Sequence, residues 1–418
     1  MADPSRIFSI AGRGLKLNTR ADIEPHLQTL RSTKGVEEVH FGGNTLGVEA
    51  CESLAEVLVD LKSLKVSNRI ITMHTTAIVT TLYQVADFAD IFTGRLITEI
   101  PQSLAAICNA LINTASLVEL NLSDNAFGGR SSDPMVPFLT QNRTFQVLKL
   151  NNNGLGPSGG AIIAKALLES ARLSKAEGKP SNLRTIICGR NRLQDDSAPL
   201  FAEAFAAHGN LIDVRMPQNG IRMDGIAALA GGLSKNASLE HLDLQDNCAK
   251  GSGTRALAKA LPSWPGLRHL NLSECLLGGK AGISLALALS KGSNRKLESL
   301  KLQLGELDYR SISILAKAIH DHMAGLTTLE LNANRADPED QCIQDIRAAL
   351  AAHGHEDALD ELDEMEDYEE EEEEEEKDAK ENEEELEELK EPVKKEDEEA
   401  DELAAMMNKV SLSSTSGS

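Results

Sequence analysis

The stretch FADIFTGRLITEIP, Phe88–Pro101, carries one arginine, Arg95, behind a small Thr-Gly turn. A predicted strand ends before it and an amphipathic run follows. An arginine presented on such a loop could reach into a partner's phosphate site; the alternative is an ordinary surface residue. Other chemistry is sparse. G-x-x-x-x-G-K-[ST], H-E-x-x-H and G-x-S-x-G are absent, and no G-x-G-x-x-G lies between a strand and a helix. His26, His40, His241 and His269 do not fall at metal-ligand spacing. No self-contained hydrolase, and no cofactor or metal of the chain's own, is expected.

What positions Arg95 is a repeat. LVELNLSDNAFG starts at Leu117, FQVLKLNNNGLG at Phe145, LRTIICGRNRL at Leu183 and LIDVRMPQNGI at Leu211. LEHLDLQDNCA, LRHLNLSECLLG, LESLKLQLGEL and LTTLELNANRA follow at Leu239, Leu267, Leu297 and Leu326, and an earlier copy, VEEVHFGGNTLG, begins at Val36. LxxLxLxxN at this period is the signature of a leucine-rich repeat. Residues such as Leu120 and Leu122 alternate on a short strand and point inward. The asparagine that follows (Asn44, Asn125, Asn153, Asn191, Asn219, Asn247, Asn334) satisfies backbone groups of a buried turn. Cys275 and Gly305 stand where two repeats break that rule. His241 and His269 occupy equivalent positions and should be neighbours, as any residues in register would be.

Each strand is followed by a helical run such as GPSGGAIIAKALLES from Gly156, with Ala and Gly where repeats approach closely. The expected fold is an α/β leucine-rich-repeat solenoid, a crescent with a parallel concave sheet and convex helices, whose core comes from stacking. Lys175–Ser181 reads as a surface loop inserted between repeats. The solenoid domain is placed at 1–355, with the pattern fading near 350. Val66–Gln84 has none of the repeat's landmarks. Removing it sets Leu61, Leu64 and Val85 in LxxLxL spacing, and its ends are residues that splice sites could encode. A retained intron is the preferred reading; a surface insertion is the alternative.

The chain's net charge of −23 is uneven. Glu356 to Glu402 holds 30 acidic residues and 5 lysines, which leaves the rest near +2. The 356–418 region reads as a disordered acidic tail that either attracts a basic partner, more weakly at high salt, or simply solubilises. Six scattered cysteines without a CxxC pair fit a reducing compartment, where the sequons at Asn142, Asn236 and Asn271 have no use. No apolar run is long enough to span a bilayer, and a near-neutral body with few aromatics argues against a nucleic-acid groove. The residues after the strand leucines are instead polar and of both signs, among them Asp124, Asn151, Asn152, Arg190, Gln245 and Asp246. They suit recognition of a folded protein surface.

FSIAGRGLKL, GNTLG, DIFTGRLITEIP, LSDNAFG, LNNNGLGPSGGAIIAKAL, IICGRNRL, QNGIR and LDLQDN together resemble the family of GTPase-activating proteins for the nuclear-transport GTPase Ran, in its fungal form. The acidic region opening DALDELDEMED fits too, and the likeness spans nearly the whole chain except Val66–Gln84. The resemblance implies a crescent of the ribonuclease-inhibitor type that accelerates GTP hydrolysis on Ran in the cytoplasm, near the nuclear envelope. Its partner would be Ran-GTP, with a Ran-binding protein alongside, and the GTP and Mg²⁺ would be Ran's. It implies that Arg95 is not an arginine finger, and that the asparagine near Ran's nucleotide falls on Asn152, which positions rather than attacks. Arg95, Asp124, Asn151, Arg190, Gln245 and Asp246 would contact the partner. The rival reading is a non-catalytic scaffold or inhibitor on the same crescent.

Overall fold

A computed structural model describes residues 6–33, 35–63 and 84–365. Eleven strands form one parallel sheet in chain order, from Ile7–Ser9 to Thr328–Glu330, and a helix follows each strand. The pairing register brings Val39, Ala86, Leu120, Leu148 and Ile186 into one column, continued by Val214, Leu242, Leu270, Leu300 and Leu329. Each is buried, and so is the residue two places on, because side chains alternate across a strand. One repeat alone has no second layer to cover these residues. The neighbouring repeats and the convex helices supply it.

The strand Ile7–Ser9 does not read as a repeat in the sequence, and the strand expected before Arg95 forms in another register. Ile7–Ser9 pairs with Glu38–His40, and Gln84–Asp87 pairs with Glu38–His40 and Leu117–Asn121. Their inward residues are Phe8 with Ile10, and Ala86 with Phe88, so neither reads as leucine. Phe8, Phe41 and Phe88 stack with centroid separations of 5.5 and 5.9 Å. That stack decides the register of the third strand, and the expected alignment on Leu61, Leu64 and Val85 is not the one formed. Leu61 belongs to helix Val48–Ser63; Val85 pairs with Glu38 and Glu119 and is only half-buried, while Ala86 turns inward. The pairing slips at Gln84/Val85, at the C-terminal end of the Val66–Gln84 segment. Residues 66–83 of that segment lie outside the described residues.

The asparagines close each turn. Asn125 Nδ2 donates to the carbonyls of Phe88 and Leu122, both at 2.9 Å, and its Oδ1 accepts from Ile91 N at 2.8 Å. The backbone N–H of Asn125 donates to Asn153 Oδ1 (2.9 Å), that of Asn153 to Asn191 Oδ1 (3.1 Å), and that of Asn191 to Asn219 Oδ1 (2.9 Å). Each rung therefore satisfies groups in two repeats. Cys275 replaces a rung with a weaker Sγ donor to Leu244 O at 3.2 Å, and Gly305 has only backbone groups to offer, its N–H to Asn334 Oδ1 at 3.1 Å and its carbonyl to Gly278 N at 3.0 Å. Two further breaks, Arg13 and Ile91, follow from the pairing register of the first and third strands of the sheet. On the convex side Asn142 and Asn236 are buried and donate to the Leu111 and Phe205 carbonyls, so neither sequon is open to modification. Close stacking shows at Gly232, where a Cβ would run into the Ala202 carbonyl.

Two boundaries move. Helix Gly156–Ala176 runs on through Lys175, so the inserted loop is shorter than Lys175–Ser181. Ser181 Oγ meets His208 Nδ1 at 2.5 Å, and burial pushes the His208 imidazole down to about 4. The solenoid also continues past 355. Asp360 accepts from Leu331 N (2.8 Å), Asn332 N (3.1 Å) and Gln303 Nε2 (3.0 Å), Leu359 bridges Leu329, and Asn334 N donates to Met365 Sδ at 3.4 Å. These residues occupy the place of a next repeat, and Asp360 serves backbone groups that a further strand would otherwise take. The first ten residues assigned to the acidic tail are thus a cap, because a buried sheet edge must be satisfied whatever the net charge of the segment that does it. Truncation after His355 is expected to lower unfolding free energy by about 2 kcal/mol or more through lost partners, whereas truncation after Met365 should leave it unchanged; urea denaturation of the two chains checks this.

Candidate functional site

Where the strand turns toward its asparagine, the preceding residue adopts a left-handed conformation in every repeat. Asp90, Asp124, Asn152, Arg190, Gln218, Asp246, Glu274, Leu304 and Ala333 have φ between 50° and 62°, and Gly12 and Gly43 fill the first two places. Non-glycine residues in this region cost about 1 kcal/mol or more each. The turn demands it whatever residue follows, since Asp90, Glu274 and Leu304 adopt it ahead of Ile91, Cys275 and Gly305. The backbone N–H groups of the column are used between repeats: Asp124 N donates to Asn151 O (2.8 Å), Asn152 N to Gly189 O (2.9 Å) and Arg190 N to Pro217 O (2.9 Å). The side chains are left facing outward on a rigid edge.

Four of the seven residues expected at the site lie in this column: Asp124, Asn152, Arg190 and Asp246, all exposed. Asn152 Nδ2 donates to Asp124 Oδ1 at 3.0 Å, which fixes the amide plane. Asn153, one residue on, is fully buried in the ladder. Beyond its backbone bond to Pro217, Arg190 makes no hydrogen bond or ion pair among the described residues, so its guanidinium is free. Asn151 and Gln245 sit one position earlier and are half-buried. Asn151 Oδ1 accepts from Gly189 N at 2.6 Å; Gln245 Nε2 donates to Glu274 Oε1 at 2.8 Å, and its Oε1 accepts from Asn271 Nδ2 at 3.2 Å. These two brace the column more than they extend it.

Arg95 is the seventh, and it points into the protein. Its side chain is 13% exposed. Nη2 donates to Asn18 Oδ1 at 2.6 Å and to the Thr45 carbonyl at 3.2 Å, and Glu99 stands 4.0 Å from Nη1. The guanidinium thereby ties its loop to the first two repeats. The sequence showed Arg95 beside a turn, but Asn18 and Thr45 are brought to it only by stacking. Neighbouring Leu96 and Ile97, which drew no notice in the sequence, are exposed.

On the concave face His241 and His269 lie 5.1 Å apart, centroid to centroid. Burial, then Arg215, hold His241 down at about 4, so it is neutral at pH 7. Arg215 is bound in bidentate fashion by Asp213 (2.9 and 2.8 Å). No group of three metal-ligating side chains exists among the described residues. At the other end His40 lies between Glu38 (2.9 Å) and Asp87 (3.2 Å); burial would lower its pKa, but the two carboxylates together raise it. No described helix is long and apolar enough to cross a membrane.

This sheet, its helices and its asparagine turns define a leucine-rich-repeat protein, and the Leucine Rich repeat family model matches residues 141–164 and 235–258. Within that class the chain is a relative of the Ran GTPase-activating proteins. It is 42% identical to Ran GTPase-activating protein 1 of Xenopus laevis over 217 residues, 51% of this chain and 34% of that protein. It is 37% identical to Ran GTPase-activating protein 1 of Saccharomyces cerevisiae over 226 residues, 54% of this chain and 52% of that one. For Ran GTPase-activating protein 2 of Caenorhabditis elegans the figures are 38% over 228 residues, 53% and 22%. The matched stretch thus spans about half of those relatives' length or less. An internalin from Listeria monocytogenes is similar at 16% identity and a TM-score of 0.42, covering 85% of this chain and 86% of that one, too low a score to argue from.

Arg95→Ala is expected to lower stability by about 1–2 kcal/mol, since two hydrogen bonds from a charged, largely buried donor are lost. Urea denaturation monitored by circular dichroism checks it; unchanged stability would mean that the guanidinium does not tether the loop.

Proposed function

We propose that the chain binds GTP-loaded Ran and accelerates GTP hydrolysis on it, in the cytoplasm, with a Ran-binding protein as a further component of the complex. The similarity to several Ran GTPase-activating proteins over the repeat region carries this reading. GTP and Mg²⁺ would come with Ran; the chain would supply a surface. The left-handed column supports this division of labour, because it offers rigid polar side chains and no nucleophile–base pair. Asn152 would lie against Ran's catalytic centre, with its Oδ1 free of partners among the described residues and its amide plane held by Asp124. Gain in rate would come from ordering Ran's own groups and excluding water. The inward binding of Arg95 supports a mechanism without an arginine finger at this residue. Asp124, Arg190 and Asp246 would be direct contacts, with Asn151 and Gln245 shaping the surface behind them.

Phosphate release from GTP-loaded Ran tests the activity directly; binding without faster release would favour a scaffold. Asn152→Ala should leave folding intact and slow single-turnover hydrolysis roughly 10- to 100-fold, the rate equivalent of one positioned contact worth about 1–3 kcal/mol. An unaltered rate would reject the role. Asn153→Ala should instead cost about 2 kcal/mol of stability, because Asn125 N loses its acceptor and the Leu122 and Leu150 carbonyls are left with one donor each, from Asn125 and Asn191. Deleting the acidic residues after Met365, and so sparing the cap, should slow association with Ran at low salt and lose its effect at high salt. Identical on-rates at every salt concentration would leave the tail a solubilising role alone.

A further inference from the structure

Leu96 and Ile97 are 66% and 56% exposed, the two highest values among the large exposed apolar side chains of the described residues. Single exposed leucines are ordinary on a protein surface. Two adjacent ones on a loop that is held from both sides call for another cause. Ahead of them Ile91 and Phe92 are buried, Arg95 N donates to Phe92 O (3.0 Å), Thr93 Oγ1 donates to Asp90 Oδ1 (2.5 Å), and Thr45 Oγ1 donates to Thr93 O (3.0 Å). Behind them Glu99 N donates to Leu96 O (2.9 Å), and helix Ile100–Leu111 begins with Pro101 in its first turn. The Arg95 guanidinium, bound to Asn18 and Thr45, locks the middle. Asp90 belongs to the left-handed column and its side chain holds Thr93, so the loop that carries the pair is fastened to the third place of that column.

We propose that Leu96 and Ile97 form an apolar anchor that seats an apolar patch on the surface of the GTP-loaded GTPase, and that Arg95 is a positioning residue acting through them. This rests on the reading that the chain activates a GTPase. The column is polar along most of its length, and a polar rim beside a small apolar centre is the usual composition of a protein–protein contact. A loop already ordered by six hydrogen bonds loses little conformational freedom on binding, so the buried apolar area is retained as affinity. In this arrangement Arg95 acts through the loop it holds. Its guanidinium sets where the two side chains stand.

The test uses the full chain with GTP-loaded Ran and measures hydrolysis against activator and substrate concentration. The double variant Leu96→Gln, Ile97→Gln should raise KM about tenfold or more, each tenfold being roughly 1.4 kcal/mol of lost binding. Its saturating rate should stay within about twofold of the parent's, the signature of binding lost equally from ground and transition states. Its thermal midpoint should not change. Arg95→Ala should raise KM in the same way, and combined with the double variant it should add little, because coupled residues are non-additive. An unchanged KM in the double variant, with the parent chain active, overturns the anchor. A lowered thermal midpoint overturns it too, since the pair would then be covered by the chain itself. Fully additive effects overturn the positioning role of Arg95. A parent chain that fails to stimulate Ran sinks the activator reading first, before any variant is compared.

Discussion

Everything in this molecule depends on burying a turn. A solenoid of short strands must reverse direction at the end of each strand while its core stays dry, and the reversal leaves backbone N–H and C=O groups with no strand to pair with. A buried amide or carbonyl without a partner costs on the order of 1–3 kcal/mol. The asparagine ladder removes that cost in each repeat that carries it, since one side chain donates to two carbonyls and accepts from the backbone of its neighbour. Because each rung closes groups in two repeats, the ladder also couples the repeats, and the stack gains cooperativity that isolated units would lack.

The same geometry makes the binding edge. Reversing the chain at the strand's end puts the residue before the buried turn position in the left-handed region, with or without an asparagine there, and its side chain faces outward. The rigid polar column is therefore a by-product of solving the backbone problem. Its composition, from Asp90 to Ala333, is free to vary because its conformation is enforced by the turn and not by the side chain. That freedom lets a repeat protein hold recognition residues at fixed spacing on a scaffold whose stability does not depend on them. Asn152 and Asn153 show the division within one dipeptide: the first faces solvent and the second holds two repeats together.

The ends of the stack face the opposite problem, since they lack one neighbour. At the C-terminal end Asp360 and Met365 serve the groups that another repeat would have taken, and a segment rich in acid becomes structural. Near the N-terminal end the Phe8, Phe41 and Phe88 rings fill the width that leucines fill elsewhere, and Arg95 crosses between repeats to tie a longer loop down. Both ends show a polar or charged residue used for closure, a role that composition does not reveal.

The local pattern alone determined a good deal. LxxLxLxxN specifies which residues point inward, which turn, and which asparagine is buried, because strand alternation and backbone satisfaction are short-range constraints. It separated Asn152 from Asn153, and it placed Asp124, Arg190 and Asp246 on an outward edge. It missed the repeat built on Phe8 and misplaced the register of the one built on Ala86 with Phe88, since their inward residues are not leucine and their rings meet only between strands. It misaligned Val85 for the same reason. Only the tertiary structure decided the direction of Arg95, since its acceptors Asn18 and Thr45 lie 77 and 50 residues away along the chain. Only stacking could turn residues 356–365 from tail into cap. Short-range geometry is written in residue order; which charged group closes which gap depends on contacts between repeats, and those exist only once the stack is formed.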